Sequence, residues 1–441
     1  MKSDPEIVIL VEHISREFSI ASILKMMLES KYGYNVQIQS IYDTHNLNKI
    51  SPKILLTPFF RSLNSMIFPF VYKWNQARII NLSYEQVFRS HQIKFREPKG
   101  SFVKNEVLHV SWGEDFSKFL LQNGVSVENI VLNGNLQYQL YKYPYRNVSY
   151  DRNFLSSKYN ISSTKKWILF TENYGAIFGG DKSVTHPLME DRITSDNVKT
   201  FVDKSFVKTM QWIDQISRIN DLEIIIRPRP RTSKENLINY YKKINGTINS
   251  NIHFIKEDQA RDWILSSDII VSNYSTTLIE SALADKKTFM FEPFLFPKYM
   301  VSEWYLYVPK IRTFDDFKSC IKNNVLNNSN VEDLKKWAFN TISPNFDVID
   351  NLTTCINEEY ENHIPIDRDM MKYFNEDRVK YSIPGSINYN IRKFLRNLLT
   401  KVNLIKYYKQ DYQSHLEILE QDRITESKVK IEINRWKSII K

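Results

Sequence analysis

Residues 267–293, SDIIVSNYSTTLIESALADKKTFMFEP, place a strand, a helix and a second strand within one short stretch. The apolar run at 268–273 predicts a buried strand, residues 276–284 predict a helix, and residues 287–293 predict another strand. A strand followed by a crossover helix and a second strand is the repeating unit of a parallel sheet covered by helices. The stretch therefore predicts an α/β fold.

The same alternation of strands and helices runs through most of the chain. Further strands are predicted at residues 6–11, 36–41, 53–58, 77–82, 107–112, 129–134, 166–171, 222–228 and 251–255. Further helices are predicted at residues 15–30, 197–218, 236–243 and 259–265. We therefore expect a doubly wound parallel sheet in each half of the chain, with ligands bound beyond the carboxyl ends of the strands.

A polar, irregular stretch at 141–164 is predicted to link the two sheets. It divides the chain into an N-terminal Rossmann-like domain at 1–145 and a C-terminal Rossmann-like domain at 160–345, followed by a helical extension at 346–441. Two open parallel sheets joined in this way predict a two-lobed protein whose sheets face each other across a ligand-binding cleft.

The composition excludes several classes of protein. Only 10 of the 441 residues are glycine, and neither GxGxxG nor GxxxxGK[ST] occurs, which argues against a P-loop and a glycine-rich dinucleotide site. Cys320 and Cys355 are too few for the usual four-ligand zinc site or a disulfide framework, and they favour a reducing compartment. Residues 62–72 form the longest uncharged apolar stretch, so we expect no membrane span and a cytoplasmic location.

The net charge of +10 is concentrated near the C-terminus. Residues 391–441 carry 12 Lys and Arg against 6 Asp and Glu, a net charge of +6. Within them, residues 391–408 predict a basic amphipathic helix, which suits an anionic membrane surface and would make the protein peripheral at the inner face of the cell membrane. The alternative is a helix that packs on this protein or on a second copy in a homodimer, and the helix predicted at 413–440 suits the same role. No nucleic-acid-binding module is recognised, so no nucleic-acid partner is expected.

The strand at 268–273 leads directly into a run of hydroxyl side chains. Tyr274, Ser275, Thr276 and Thr277 stand where the next helix begins. Main-chain N–H groups at a helix start lack helical acceptors and lie at the positive end of the dipole, so hydroxyls beside them predict a phosphate or pyrophosphate site. One turn into the helix, Glu280 can bind a sugar hydroxyl, with ribose as the natural candidate. The alternative is an ordinary capping box with no ligand.

Two further groups of polar residues follow strands of the same predicted sheet. Arg227 and Arg229 alternate with prolines that hold the turn extended, and guanidinium groups bind phosphate or carboxylate in a bidentate manner. Glu172, Asn173 and Tyr174 follow the first strand of this sheet and are expected to line the same site. The alternatives are surface arginines in local ion pairs and a plain loop between a strand and a helix.

Together these motifs resemble a known group of bacterial enzymes. RPRP at 227–230, KEDQARDWILSSDIIVSNYSTTLIE at 256–280 and KKTFMFEP at 286–293 are similar to GT-B glycosyltransferases of surface carbohydrate and capsular polysaccharide biosynthesis. Kdo transferases and CDP-glycerol glycerophosphotransferases are more distant relatives. They often carry a histidine at the position of Arg229, and an Asp-Tyr-Ser-Ser turn where this chain has NYST. The resemblance continues more loosely through NLSYEQVF, HVSWGEDF and VLNGNLQY in the N-terminal half.

The resemblance implies a GT-B fold whose C-terminal domain binds a nucleotide-activated sugar and whose N-terminal domain binds a glycan or lipid-linked glycan acceptor. The donor would be a CMP-linked ulosonic acid such as Kdo, or a UDP-, dTDP- or GDP-sugar. Transfer in this family is usually independent of metal, and the only Asp-x-Asp, at 367–369, follows no predicted strand, so no metal or other cofactor is expected. By the resemblance, the donor is held by Arg227, Arg229, Ser275, Thr276, Thr277 and Glu280.

Three other functions stay open. A CDP-polyol phosphotransferase of the teichoic-acid type shares the fold, although the missing histidine in RPRP argues against it. A nucleotide-sugar 2-epimerase also shares the fold but has little use for a basic tail. A non-catalytic scaffold of a membrane-associated polysaccharide assembly complex would use that tail and would bind no nucleotide.

An inverting transfer also needs a general base that takes the proton of the acceptor hydroxyl. Glu12 and His13 follow the first strand directly, and Glu85 follows the strand at 77–82. We favour Glu85 narrowly over Glu12. The structural alternatives are an ion pair between Glu12 and Arg16 along a helix and an ion pair between Glu85 and a basic neighbour.

Overall fold

The computed structural model describes residues 4–87, 93–175, 177–178, 195–230, 232–322, 329–342, 346–380, 383, 386–387, 390 and 422–440. The basic amphipathic helix predicted at 391–408 lies outside the described residues, as does the first part of the helix predicted at 413–440. The chain divides into two compact units. Unit 1 comprises Met1–Gln86, Arg96–Gln139 and Thr341–Lys441, and unit 2 comprises Val87–Phe95 and Leu140–Asn340.

The sheet of unit 1 is parallel throughout and has the strand order β2-β1-β3-β4-β5-β6. Its strands are β1 (Ile7–Val11), β2 (Val36–Ser40), β3 (Ile54–Thr57), β4 (Arg78–Asn81), β5 (Val107–Ser111) and β6 (Ile130–Leu132). Every residue of β1, β3 and β5 is buried. Continuous apolar strands are expected where helices cover both faces of a parallel sheet.

The sheet of unit 2 is also parallel throughout and has the order β12-β11-β10-β7-β8-β9. Its strands are β7 (Lys166–Thr171), β8 (Leu222–Arg227), β9 (Ile252–Phe254), β10 (Ile269–Ser272), β11 (Lys287–Phe291) and β12 (Lys310–Ile311). The two Rossmann-like sheets confirm the predicted α/β class.

Helices connect the strands in both units. In chain order they are α1 (Ile14–Tyr32), α2 (Thr44–Leu47), α3 (Phe68–Lys73), α4 (Ile93–Arg96), α5 (Ser101–Asn105), α6 (Glu114–Gln122), α7 (Leu136–Gln139), α8 (Arg152–Tyr159), α9 (Ser195–Ser217), α10 (Lys234–Asn245), α11 (Ala260–Ser266), α12 (Thr277–Leu283), α13 (Phe314–Lys322), α14 (Ser329–Thr341), α15 (Val348–Glu361), α16 (Met370–Glu376) and α17 (Glu426–Lys437). Within the described ranges, no helix combines the length and apolar character needed to cross a bilayer.

Each sheet contains one point at which the chain reverses its direction of winding. In unit 1 the chain builds β2 on one side of β1 and then adds β3 on the other side. In unit 2 it builds β8 and β9 on one side of β7 and then adds β10 on the other. Loops that leave neighbouring strands at such a point diverge, and the crevice between them is the usual ligand site of an open parallel sheet. The β1/β3 and β7/β10 edges are therefore the expected ligand sites.

The stretch at 141–164 differs from the predicted irregular linker, because it contains α8. Asp151 caps this helix by accepting a hydrogen bond from the N–H of Phe154 at 2.8 Å, and Leu155 is fully buried. A helix with a single buried apolar residue has almost no periodic signal. The two-residue strand β12 was also not predicted, since it is too short to form a pattern.

A buried histidine joins two strands of unit 1. The side-chain amide of Asn81 donates to Nδ1 of His109 at 3.1 Å and to the carbonyl of Phe60 at 3.1 Å, while Nε2 of His109 bonds to the carbonyl of Val103 at 2.9 Å. These partners assign the proton of neutral His109 to Nε2. Burial lowers the pKa of His109 to about 4.

This histidine should make unit 1 sensitive to acid. Because the unfolded chain binds the proton at a pKa of about 6.5, the free energy of unfolding should fall by about 3 kcal/mol as pH drops from that value through the folded pKa of about 4. His109→Gln should lose less stability than wild type over this pH interval, as measured by urea denaturation at pH 7 and pH 4.5. Parallel losses in both proteins would show that His109 is not the source.

Candidate functional site

The loops that follow β7 and β10 are joined by reciprocal hydrogen bonds. The side-chain amide of Asn273 donates to the carbonyl of Asn173 at 3.1 Å, and the amide of Asn173 donates to the carbonyl of Tyr274 at 3.5 Å. Asn273 directly follows β10 and Asn173 is the second residue after β7, so parallel pairing of β7 with β10 brings the two loops together. The two hydrogen bonds fix the position of the β7 and β10 loops relative to each other.

Glu172 ties the loop after β7 to the RPRP turn after β8. Its carboxylate is buried and accepts hydrogen bonds from the main-chain N–H groups of Tyr174 and Arg229, the latter at 3.2 Å. Burial raises the pKa of Glu172, and the two N–H donors oppose this rise. The predicted site residue Glu172 therefore braces the main chain.

Arg229 lies directly against the main chain of Gly175. A Cβ atom added to Gly175 would lie 1.6 Å from Nη1 of Arg229, so only glycine permits this approach. The main-chain conformation of Gly175 does not itself require glycine, since its φ is not in the left-handed region. The missing Cβ thus leaves room for the Arg229 guanidinium beside the loop that follows β7.

Arg227, two residues earlier, is used differently. It is buried and donates to the carbonyls of Glu257, at 2.7 Å, and Asp258, in the loop after β9. Burial lowers its pKa to about 10. Both terminal nitrogens of Arg227 thus hold a protein loop, and its binding of a donor stays a prediction.

The two tyrosines predicted at this site pack together. Tyr174 is fully buried, and its hydroxyl shares a 2.9 Å hydrogen bond with Oγ1 of Thr209. Tyr274 meets the ring of Tyr174 edge to face at 6.1 Å and that of Phe296 at 6.0 Å. Tyr174 therefore belongs to the core of unit 2, and its ring packs against the loop that carries Tyr274.

Three hydroxyl residues at the start of α12 are half-buried, and two of them bond to each other. The Oγ atoms of Ser275 and Thr277 are 2.9 Å apart, and the main-chain N–H of Thr277 donates to Ser275 at 3.3 Å. Thr276 is the N-cap residue and makes no capping bond through its side chain. One turn later, Oε2 of Glu280 accepts a 2.7 Å hydrogen bond from the hydroxyl of Tyr141. Tyr141 was missed because it lies 139 positions earlier, in the stretch predicted to be a linker.

At the β1/β3 edge of unit 1, a buried carboxylate fixes the turn that carries Glu12 and His13. One oxygen of Glu17 accepts from the N–H groups of Glu12, at 2.6 Å, and His13, at 3.4 Å. The other oxygen accepts two hydrogen bonds from Arg16, at 2.7 and 3.0 Å. Burial raises the pKa of Glu17, and the charge of Arg16 opposes the rise.

His13 is paired with an acid from the far end of the chain. Its Nδ1 is 2.9 Å from Oδ2 of Asp422, and both side chains are buried. The other oxygen of Asp422 accepts from the N–H of Ile14 at 2.8 Å. Nε2 of His13 lies 3.9 Å from Oε1 of Glu12. Sequence reasoning missed Asp422 because no local pattern marks a pair separated by 409 positions.

Glu85 lies within a group of three arginines. Its carboxylate is 3.6 Å from Arg16, 3.2 Å from Arg61 and in direct contact with Arg96. Desolvation alone would raise the pKa of Glu85, but the charges of the three arginines outweigh it and lower the pKa far below its ordinary value. A carboxylate stabilised in this way is a weak proton acceptor.

Among the residues that the structure describes, no three His, Cys, Asp or Glu side chains are grouped so that they could hold a metal ion.

No family model and no curated protein matches the sequence. Solved structures match in fold. The wall teichoic acid polymerase TagF aligns with 82% of this chain and 90% of its own, at 10% identity and a TM-score of 0.52. A substituted variant of TagF covers 81% and 89% at 10% identity, with a TM-score of 0.53. The S. aureus MnaA–UDP structure covers 82% and 99% at 15% identity, with a TM-score of 0.49. The TagF likeness supports a GT-B-like fold, as the sequence motifs predicted.

The Glu17 brace predicts a specific loss of stability. Glu17→Gln replaces one accepting oxygen by an NH2 group, which must face either main-chain N–H donors or Arg16. We expect the free energy of unfolding to fall by about 1–3 kcal/mol in urea denaturation. Glu29→Gln on the same helix removes only a surface pair with Lys25 and should cost less than about 0.5 kcal/mol. Equal effects of the two variants would contradict the assigned role.

Proposed function

We propose that this protein is a transferase that uses a nucleotide-activated donor, and that unit 2 binds the nucleotide beyond β7 and β10. The observation that carries the proposal is the position of the Arg229 guanidinium, which lies against the main chain of Gly175 at this edge of the sheet. An arginine in this place, with its main chain braced by a buried glutamate, is suited to bind a phosphate group.

The surrounding side chains suit the rest of a nucleotide. Ser275 and Thr277 supply hydroxyls beyond the carboxyl end of β10, which lies on the other side of β7 from the strand that leads to Arg229, and we assign these hydroxyls to the phosphate. Glu280 is oriented by Tyr141, and its carboxylate is suited to accept a hydrogen bond from a ribose hydroxyl. As the donor bond breaks, negative charge develops on the departing phosphate, and a preorganised guanidinium stabilises it.

We propose further that the transferred group is a sugar and that the acceptor is a glycan or lipid-linked glycan of the bacterial surface. The motif resemblance favours a CMP-linked ulosonic acid as the donor. The second candidate is a CDP-polyol phosphotransferase. It is supported by the fold shared with TagF, which was also solved after soaking with CDPG at a TM-score of 0.50 to this chain. The basic amphipathic helix predicted at 391–408 would bring such a protein to an anionic membrane.

We assign the general base to His13 in unit 1 in place of the initially favoured Glu85. Three arginines stabilise the ionised form of Glu85 and so weaken it as a base. Histidine is the residue most often used as a general base, and His13 follows the first strand at the point where the sheet reverses its winding.

A thermal-shift screen of CMP, CDP, UDP, GDP and dTDP tests the donor site. A nucleotide at a hundredfold excess over its Kd should stabilise the protein by about 2.7 kcal/mol. Arg229→Ala should abolish the shift, and Gly175→Ala should reduce it, because its methyl group must displace the guanidinium. The control Arg218→Ala removes an exposed arginine of the same unit and should keep the shift.

The pattern of response separates the candidate functions. Stabilisation by CMP alone favours the ulosonic-acid donor, and stabilisation by CDP alone favours the polyol route. No response of the wild-type protein to any of the five would overturn the proposal in favour of a scaffold.

Release of nucleotide from the donor, with surface glycan as the acceptor, tests the base. His13→Gln should lower kcat by about 10²–10⁴-fold and leave the nucleotide thermal shift unchanged. Glu85→Gln should keep kcat within about tenfold of wild type, because its carboxylate serves the arginines. Loss of turnover in Glu85→Gln with normal turnover in His13→Gln would return the role to Glu85.

A further inference from the structure

The C-terminal segment of unit 1, residues 422–440, packs against α1, the helix that follows His13. Trp436 of α17 is fully buried, and its indole N–H donates to the carbonyl of Ser19 in α1 at 3.1 Å. The hydroxyl of Ser19 donates to the carboxylate of Glu432 at 2.6 Å. These contacts fix the segment against α1 and place Asp422 at the start of that helix.

The two oxygens of Asp422 have different and fixed partners. Oδ1 accepts from the N–H of Ile14, which can only donate. Oδ2 faces Nδ1 of His13 at 2.9 Å, so the neutral imidazole places its proton on Nδ1 and its lone pair on Nε2. The side chain of Asp422 thereby selects one tautomer of His13 and one orientation of its ring.

We infer that Asp422 is the positioning residue of the general base, an inference that rests on the proposed function. In the transfer step, Nε2 of His13 takes the proton of the acceptor hydroxyl. The acceptor oxygen bonds to the transferred group, and the bond from that group to the nucleotide phosphate breaks, with its electron pair leaving on the phosphate oxygen. The imidazolium that forms carries a positive charge opposite the carboxylate of Asp422.

The surroundings of His13 are suited to this change of charge. Its ring faces Asp422 on one side and Glu12 on the other, and Glu17 binds its main-chain N–H. Arg16 offsets part of this negative charge through ion pairs with Glu12 and Glu17. The C-terminal segment therefore supplies a group that acts on the proposed site, as well as covering α1.

The Asp422→Asn variant should have one hydrogen-bond arrangement, because the N–H of Ile14 fixes the position of the accepting oxygen. The amide must accept from Ile14 through its oxygen, and its NH2 group then faces Nδ1 of His13. Nδ1 becomes an acceptor, the proton moves to Nε2, and the lone pair required of the base is lost. Asp422→Ser shortens the side chain and removes the carboxylate that faces Nδ1, so it should release the ring to a mixture of tautomers.

The tautomer can be read in the full chain without substrate. Correlation spectra of protein labelled with ¹⁵N-histidine, with the His13 signal assigned through its loss in His13→Gln, should show the Nδ1–H form in wild type. They should show the Nε2–H form in Asp422→Asn. The Nε2–H form in wild type, or the same form in both proteins, would overturn the inference. The nucleotide thermal shift tests the donor site separately, so the two failures are distinguishable.

Turnover and its pH profile complete the test. Asp422→Asn should lower kcat by about 10²–10⁴-fold, with an unchanged nucleotide thermal shift and a loss of the limb of the pH–rate profile that reports the base. The control Glu432→Gln removes an ion pair of the same segment, that of Glu432 with Arg435, and leaves Asp422 intact. It should keep the Nδ1–H tautomer and the wild-type pH profile. Equal losses in Asp422→Asn and Glu432→Gln, with an unaltered profile in both, would reduce the segment to a structural role.

Discussion

In a parallel sheet, the main-chain N–H groups of the loops that follow the strands need hydrogen-bond acceptors. In each unit a buried glutamate is such an acceptor. Glu172 accepts from the N–H of Arg229 in unit 2, and Glu17 accepts from the N–H of His13 in unit 1. A buried carboxylate is tolerated only when donors surround it, so each glutamate allows one arrangement of the loop. The side chains to which we assign chemistry are carried on main chain that is held in this way.

The fold was largely predictable because the strands are short apolar runs separated by helices. The strand predicted at 166–171 has the same bounds as β7, since all its residues after Lys166 are buried. Prediction failed where burial is minimal. Helix α8 contributes one fully buried leucine to unit 2, and β12 has two residues, so neither forms a period that sequence inspection can detect.

The candidate site was predictable in its location but less so in its individual roles. Position after a strand identified Glu172 and the RPRP turn, yet it could not separate Arg227 from Arg229. The former belongs to β8 and is held by the loop after β9, whereas the latter lies beyond the strand against Gly175. Contacts made at long range, such as that of Asp422 with His13, are invisible to any reading of local pattern.

The missing side chain at position 175 links the evolution of two positions that are distant in sequence. Arg229 fills the space that a Cβ at residue 175 would occupy, so a larger side chain at one position leaves less space for the other. Among homologues, an alanine or larger residue at 175 should be accompanied by a shorter side chain at 229. The two positions should therefore covary, and an arginine at 229 beside a larger residue at 175 would have to place its guanidinium elsewhere.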